Sequence, residues 1–167
     1  MGKPPSLNEI RSRAAQFALN WRNTPGDERQ YAQTFVRELL AVYGITESRA
    51  AQYEYRAQRF STGGAGFIDA LVPGVVLIEM KSEGGDLGAA EQQAFDYLDS
   101  LTDTELPTYL LTCDFRWFRL RDRLTDDTVE FALDEFAVNA DRLAFLAGYG
   151  VRSFGSAEQE AALLRDR

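Results

Sequence analysis

The sequence predicts an α/β (α+β) domain with a central mixed sheet flanked by helices. Three observations lead there. Apolar residues recur at helical spacing near both ends of the chain and at strand spacing between them. Turn signals cut the middle into short strands. The run Val75-Val76-Leu77-Ile78 shows no alternation, as expected of a strand covered on both faces.

Ser6 and Glu9 form a capping box, and Leu7, Ile10, Ala14, Phe17 and Trp21 follow along one helical face. Thr24-Pro25-Gly26-Asp27 ends that helix and caps a second. The second carries Tyr31, Ala32, Phe35, Val36, Leu39, Leu40 and Tyr43 as a wide apolar stripe and stops at Gly44. Residues 52–60 are strand-like, and 61–66 form a Gly-rich loop. Residues 67–72 and 75–81 make two strands divided by Pro73-Gly74. A helix is expected from about 87 to 101, then strands at 107–112, 117–121 and 128–132. Asp134 should cap a helix running to about 147, and Ser156 with Gln159 should open a last one.

The chain has 167 residues, 45% of them apolar and 26% charged, which is ordinary globular composition and sets disorder aside. No apolar run approaches the ~20 residues that span a bilayer, so no membrane partner is expected. The absence of a signal-like N-terminus and the single cysteine, Cys113, fit a reducing, cytoplasmic setting. There is no histidine. Ser-His-Asp triads and histidine-ligated metals are thereby excluded. The net charge of −8 argues against strong unaided binding to a polyanion. Most of it lies in residues 82–141, with 15 acidic and 4 basic side chains, either a solvated face or a docking surface.

The chemistry sits in the central hairpin. Asp69 lies in Gly-Phe-Ile-Asp-Ala, and Glu79-Met80-Lys81 ends the next strand. Glu79 and Lys81, two apart, share a strand face. Two neighbouring carboxylates invite a hard divalent cation, and a lysine beside it can hold a water or a phosphate. A plain salt bridge among the three is the alternative. Register separates the two readings. A strict two-residue Pro73-Gly74 turn would put Asp69 and Glu79 on opposite faces. A three-residue connection, 73–75, or a β-bulge sets them opposite each other, and that arrangement is expected.

An acid before a turn, then E-x-K closing an apolar strand, resembles the core of the PD-(D/E)xK nuclease superfamily. Residues 35–45, 66–69, 75–81, 93–98 and 143–149, in that order, resemble more narrowly the N-terminal nuclease domain of MmeI-like single-chain restriction–modification enzymes (type IIL/IIG). The resemblance implies a restriction-endonuclease-like fold and a Mg²⁺-dependent endonuclease, with Mn²⁺ as a substitute. It makes Asp69 and Glu79 metal ligands, adds the Met80 carbonyl as a backbone ligand, and makes Lys81 catalytic. Gln93 matches a polar residue on the following helix, and Glu28 an auxiliary acid; an exposed glutamine and a first-turn acid are their plain alternatives.

The same resemblance implies double-stranded DNA as substrate and a cytoplasmic, prokaryotic setting with a role in phage defence. It also implies further domains in a longer protein: an S-adenosylmethionine-dependent methyltransferase and a target-recognition domain, neither represented here. On that view residues 1–24 are an N-terminal helix, 25–150 the nuclease core and 151–167 the start of a linking helix, all in one nuclease domain. Arg119, Arg121 and Arg123 alternate along a strand; they suit either a DNA backbone or the protection of an edge strand. A catalytically silent interaction module and an independent phage-defence or repair nuclease remain the alternatives.

Overall fold

The computed structural model describes residues 4–46, 52–58 and 65–149, with 52–58 and 65–67 described in backbone alone. Helices α1 (Leu7–Trp21) and α2 (Glu28–Val42) come first. The capping box of Ser6 and Glu9 is formed, and the Asp27 carboxylate accepts the Arg29 amide at the start of α2. Gly44 adopts φ +86°, the left-handed conformation that ends a helix without a Cβ penalty.

Six strands follow: β1 (Gln52–Gln58), β2 (Ala65–Val72), β3 (Val76–Met80), β4 (Tyr109–Cys113), β5 (Trp117–Asp122) and β6 (Thr128–Ala132). They lie side by side in chain order. Only the β3–β4 pair is parallel, and helix α3 (Leu87–Leu98) makes the crossover between them that a parallel step requires. The sheet is thus mixed and mostly antiparallel.

Two cores cover it. The larger packs α1, α2 and the segment after β6 against Val76, Ile78 and Met80 of β3 and against Leu111, Phe118 and Leu120. The smaller packs Ala94 and Tyr97 of α3 against Ile68, Leu71, Leu77 and Leu110. Alternate residues of β3 therefore face opposite cores, which is why its sequence is apolar without alternation. Aromatic side chains at Phe17, Trp21, Phe35, Phe115 and Phe118 contact one another edge-on or tilted in the larger core, the geometry that ring quadrupoles favour.

Two expectations are corrected. The helix expected from Asp134 to 147 is broken into a 3-10 turn (Leu133–Glu135), one α-turn, α4 (Phe136–Asn139), and a second 3-10 stretch (Ala140–Ala147). Asp134 lies inside the first turn and does not cap it; the Glu135 carboxylate accepts the Ala132 amide instead. The break has a local cause. The Asn139 side chain donates to the Glu135 carbonyl at 2.8 Å, competing for the acceptor that an α-helical ladder would use. The second correction concerns Arg119 and Arg121. Their strand, β5, pairs with both β4 and β6, so it is no edge strand. The expected helix at Ser156 and the loop at 61–64 lie outside the described residues. Among the described residues, no helix is long and apolar enough to cross a membrane.

Candidate metal centre

The connection from β2 to β3 is Pro73-Gly74-Val75. The Val75 amide donates to the Val72 carbonyl at 2.9 Å, and Gly74 has φ +76°, as a type II Pro-Gly turn demands. Val72 then pairs with Val76, Leu71 with Leu77 and Ala70 with Ile78. One step further, this register sets Asp69 opposite Glu79, the arrangement a three-residue connection was expected to give.

A side chain joins the two strands at that step. The ladder between β2 and β3 ends at Ala70–Ile78, and the Met80 amide donates at 2.7 Å to the Asp69 carboxylate, not to a backbone carbonyl. On its other side β3 stays paired: the Lys81 amide donates to the Cys113 carbonyl at 2.8 Å, extending the parallel ladder with β4. The inward-outward alternation of β2 also fails here. Ile68 and Leu71 both lie in the α3-side core, while Ala70 between them lies in the other.

Glu79 is 4% exposed and Asp69 partly exposed, so the hairpin holds one carboxylate in the sheet and one at its opening. Lys81 points to α3, where its ammonium donates to the Gln93 carboxamide at 3.0 Å; Gln93 in turn donates to the Tyr97 hydroxyl at 3.4 Å. Gln93 is thereby brought to Lys81. Glu28 opens α2 beside the same strand end, its backbone amide donating to the Ser82 hydroxyl at 3.1 Å.

Two contacts were not foreseen. Gln33 of α2 donates to the Asp69 carbonyl at 3.2 Å. Arg116 binds the carbonyls of Trp21 and Thr24 at the end of α1 and pairs with Glu83 at 3.2 Å. The Glu83 amide donates to the Gly26 carbonyl and the Gly84 amide to the Asp114 carboxylate, so the segment after Lys81 is tied down from three sides. Neither contact had a sequence signal, because both join elements far apart in the chain.

Among the described residues, no three acidic, cysteine or histidine side chains gather into a metal-binding group. What the hairpin register does set opposite each other is a pair of carboxylates, Asp69 and Glu79, which are hard oxygen donors. That set suits Mg²⁺, which keeps several waters and takes few protein ligands.

Arg119 and Arg121 are committed to acids. Both bind Glu91 of α3, at 2.9 and 3.1 Å, and Glu91 is 2% exposed. They also reach Glu130 and Asp126, and the hydrogen bond to Glu91 holds the Arg119 pKa above its usual value. Arg123 donates to the Pro107 carbonyl at 2.6 Å. A cleft of about 550 Å³ between Pro5, Glu9, Arg13 and Tyr149 shares no residue with the hairpin.

Fold and site define an α/β domain whose central hairpin sets two acids opposite each other, with a lysine just after its second strand. The chain belongs to the family described as the MmeI N-terminal domain, which matches residues 12–162. Its backbone is similar to a chain in a cryo-EM structure of a DrdV–DNA complex, with a TM-score of 0.52 and 12% sequence identity over 87% of this chain. The similarity covers 14% of that chain, so the present sequence spans a small part of its length. No curated protein sequence matches.

Proposed function

We propose that the hairpin is the hydrolytic site of a Mg²⁺-dependent DNA endonuclease domain, the cleavage module of a larger restriction–modification enzyme. The observation that carries this is the hairpin register that sets Asp69 opposite Glu79, with Lys81 two residues beyond Glu79 at the end of β3. Asp69, Glu79 and the Met80 carbonyl would hold Mg²⁺ (or Mn²⁺). Bound there, the cation would lower the pKa of a water and neutralise charge on a phosphate. Lys81 would hold a phosphate oxygen or the attacking water by its ammonium, steadied by Gln93. Glu28 sits at the strand end as a further acid, in a supporting role.

The family and the DNA-bound structural neighbour support a DNA substrate. At a net charge of −8 this chain would engage DNA through methyltransferase and target-recognition domains elsewhere in the protein, with S-adenosylmethionine a cofactor of the former. Arg119, Arg121 and Arg123 would contribute phosphate contacts only by exchanging their present partners. That commitment favours a second reading, a catalytically silent interaction module.

Calorimetric titration with Mn²⁺ of this chain and of Asp69→Ala and Glu79→Ala tests the site. Binding that disappears in both variants supports a metal centre at the hairpin. Equal binding in all three moves the weight to the silent module.

A further inference from the structure

Strand β2 is interrupted at Asp69 on both sides. Toward β1 the register pairs Tyr53 with Ala70 and Tyr55 with Ile68, and no Glu54–Asp69 pair stands between them among the described ladder pairs. Toward β3 the ladder stops one residue earlier, at Ala70. A break in the middle of a covered sheet leaves backbone groups to be satisfied by something other than a strand. The Asp69 carbonyl finds its partner in Gln33 at 3.2 Å. Gln33 belongs to α2, which packs over a face of the sheet and not along its edge. To accept that bond the carbonyl must leave the plane of the ladder. A carbonyl so turned rotates the peptide and swings the same residue's carboxylate toward β3, where it accepts the Met80 amide at 2.7 Å.

We infer that Gln33 is a positioning residue for Asp69: its carboxamide replaces the missing ladder bond and fixes the break that aims the Asp69 carboxylate at the Glu79–Met80 end of β3. The inference rests on the reading of the hairpin as a metal site, and it extends that site to a polar side chain on a different element. Gln33 is partly buried and its neighbour on the helix, Gln30, is exposed. Gln30 is therefore an internal control.

The experiment compares the wild-type chain with Gln33→Leu, Gln33→Glu and Gln30→Leu. Gln33→Leu removes the donor; Gln33→Glu keeps the length but presents a carboxylate to the carbonyl at neutral pH. Two readouts are taken: Met80 amide hydrogen exchange by NMR without metal, and Mn²⁺ affinity by calorimetry. Both Gln33 variants should speed Met80 exchange by roughly five- to tenfold, as loss of one supporting hydrogen bond implies. Mn²⁺ affinity should fall by about tenfold or more, the usual effect of removing a partner that orients a ligand. Gln30→Leu should change neither.

Unchanged Met80 exchange in both Gln33 variants overturns the inference. Faster exchange with unaltered Mn²⁺ affinity overturns the positioning role and leaves Gln33 a purely structural contact. Absence of Mn²⁺ binding in the wild type counts against the metal site itself, and Gln33 is then judged on Met80 exchange alone.

Discussion

The Lys81 ammonium donates to the Gln93 carboxamide at 3.0 Å, tying the lysine after β3 to the middle of α3. A long, flexible side chain loses much rotamer entropy when it must hold one position. Gln93 supplies that position in advance. On the nuclease reading, Lys81→Ala should abolish cleavage by the longer protein. Gln93→Ala should keep the charge but loosen it, lowering the rate by roughly tenfold. A cleavage assay on a plasmid substrate distinguishes the two; equal rates for Gln93→Ala and wild type would remove Gln93 from the site.

Asp69 has a structural duty besides any chemical one, since its carboxylate accepts the Met80 amide. Asp69→Ala leaves that amide without its acceptor and should lower stability by about 1–3 kcal/mol. Asp69→Asn keeps an acceptor oxygen and should recover most of the loss while still lacking the charge a cation needs. Urea unfolding of the two variants without metal measures the difference.

Glu91 joins α3 to β5 through Arg119 and Arg121. Removing a buried partner strands the opposite charges, but these arginines are partly exposed, so water recovers some of the cost. Glu91→Ala should destabilise the chain by roughly 2–3 kcal/mol, read as a lower urea midpoint at unchanged m-value. A midpoint within error of wild type would show that solvent satisfies both guanidinium groups.

Gly26 lies so close to the segment after Lys81 that an added Cβ would stand 2.6 Å from the Glu83 Cβ. Both atoms are near the backbone, so the loop itself must move. Gly26→Ala should cost about 1–3 kcal/mol, as overpacking does. It should also displace Ser82 and Glu83, visible as NMR shift changes at their amides.

Burial pushes the Tyr43 phenol and the Cys113 thiol well above their usual pKa values. Folded values above unfolded ones mean that their stabilisation is fully present below pH ~8.5 and is lost as pH rises, first from Cys113 and then, above about 10, from Tyr43. Each group should contribute a decline of about 1.4 kcal/mol per pH unit once its unfolded form ionises. Tyr43→Phe forfeits the hydrogen bond to the Ala140 carbonyl, yet its stability should fall less steeply above pH 10. Denaturation at pH 8 and pH 11 supplies the comparison.

Much of this architecture was legible because it follows local rules. The capping box at Ser6, the Gly44 stop and the unalternating β3 each state a neighbour relationship that periodicity exposes. The hairpin register was legible too, through the parity argument on Pro73-Gly74-Val75. Tertiary competition was not legible. Asn139 looks like an ordinary helical residue until its side chain takes the Glu135 carbonyl. Arg119 and Arg121 read as an edge or a DNA contact because nothing local to them announces Glu91, about thirty residues earlier and on another element. Gln33 stayed silent for the same reason: its partner is the backbone carbonyl of Asp69, on a strand far along the chain.

The Pro73-Gly74-Val75 turn has a consequence for how this domain can be lost or recruited. Strand faces alternate one residue at a time, so deleting or inserting a single residue in that turn would exchange the faces of β2 relative to β3. Asp69 and Glu79 would both survive in the sequence and no longer share a face. The spacing of the turn is therefore as diagnostic as the acids themselves. On the nuclease reading, a relative that keeps every charged residue but changes the turn length by one would be a decoy: intact in composition, disarmed by counting.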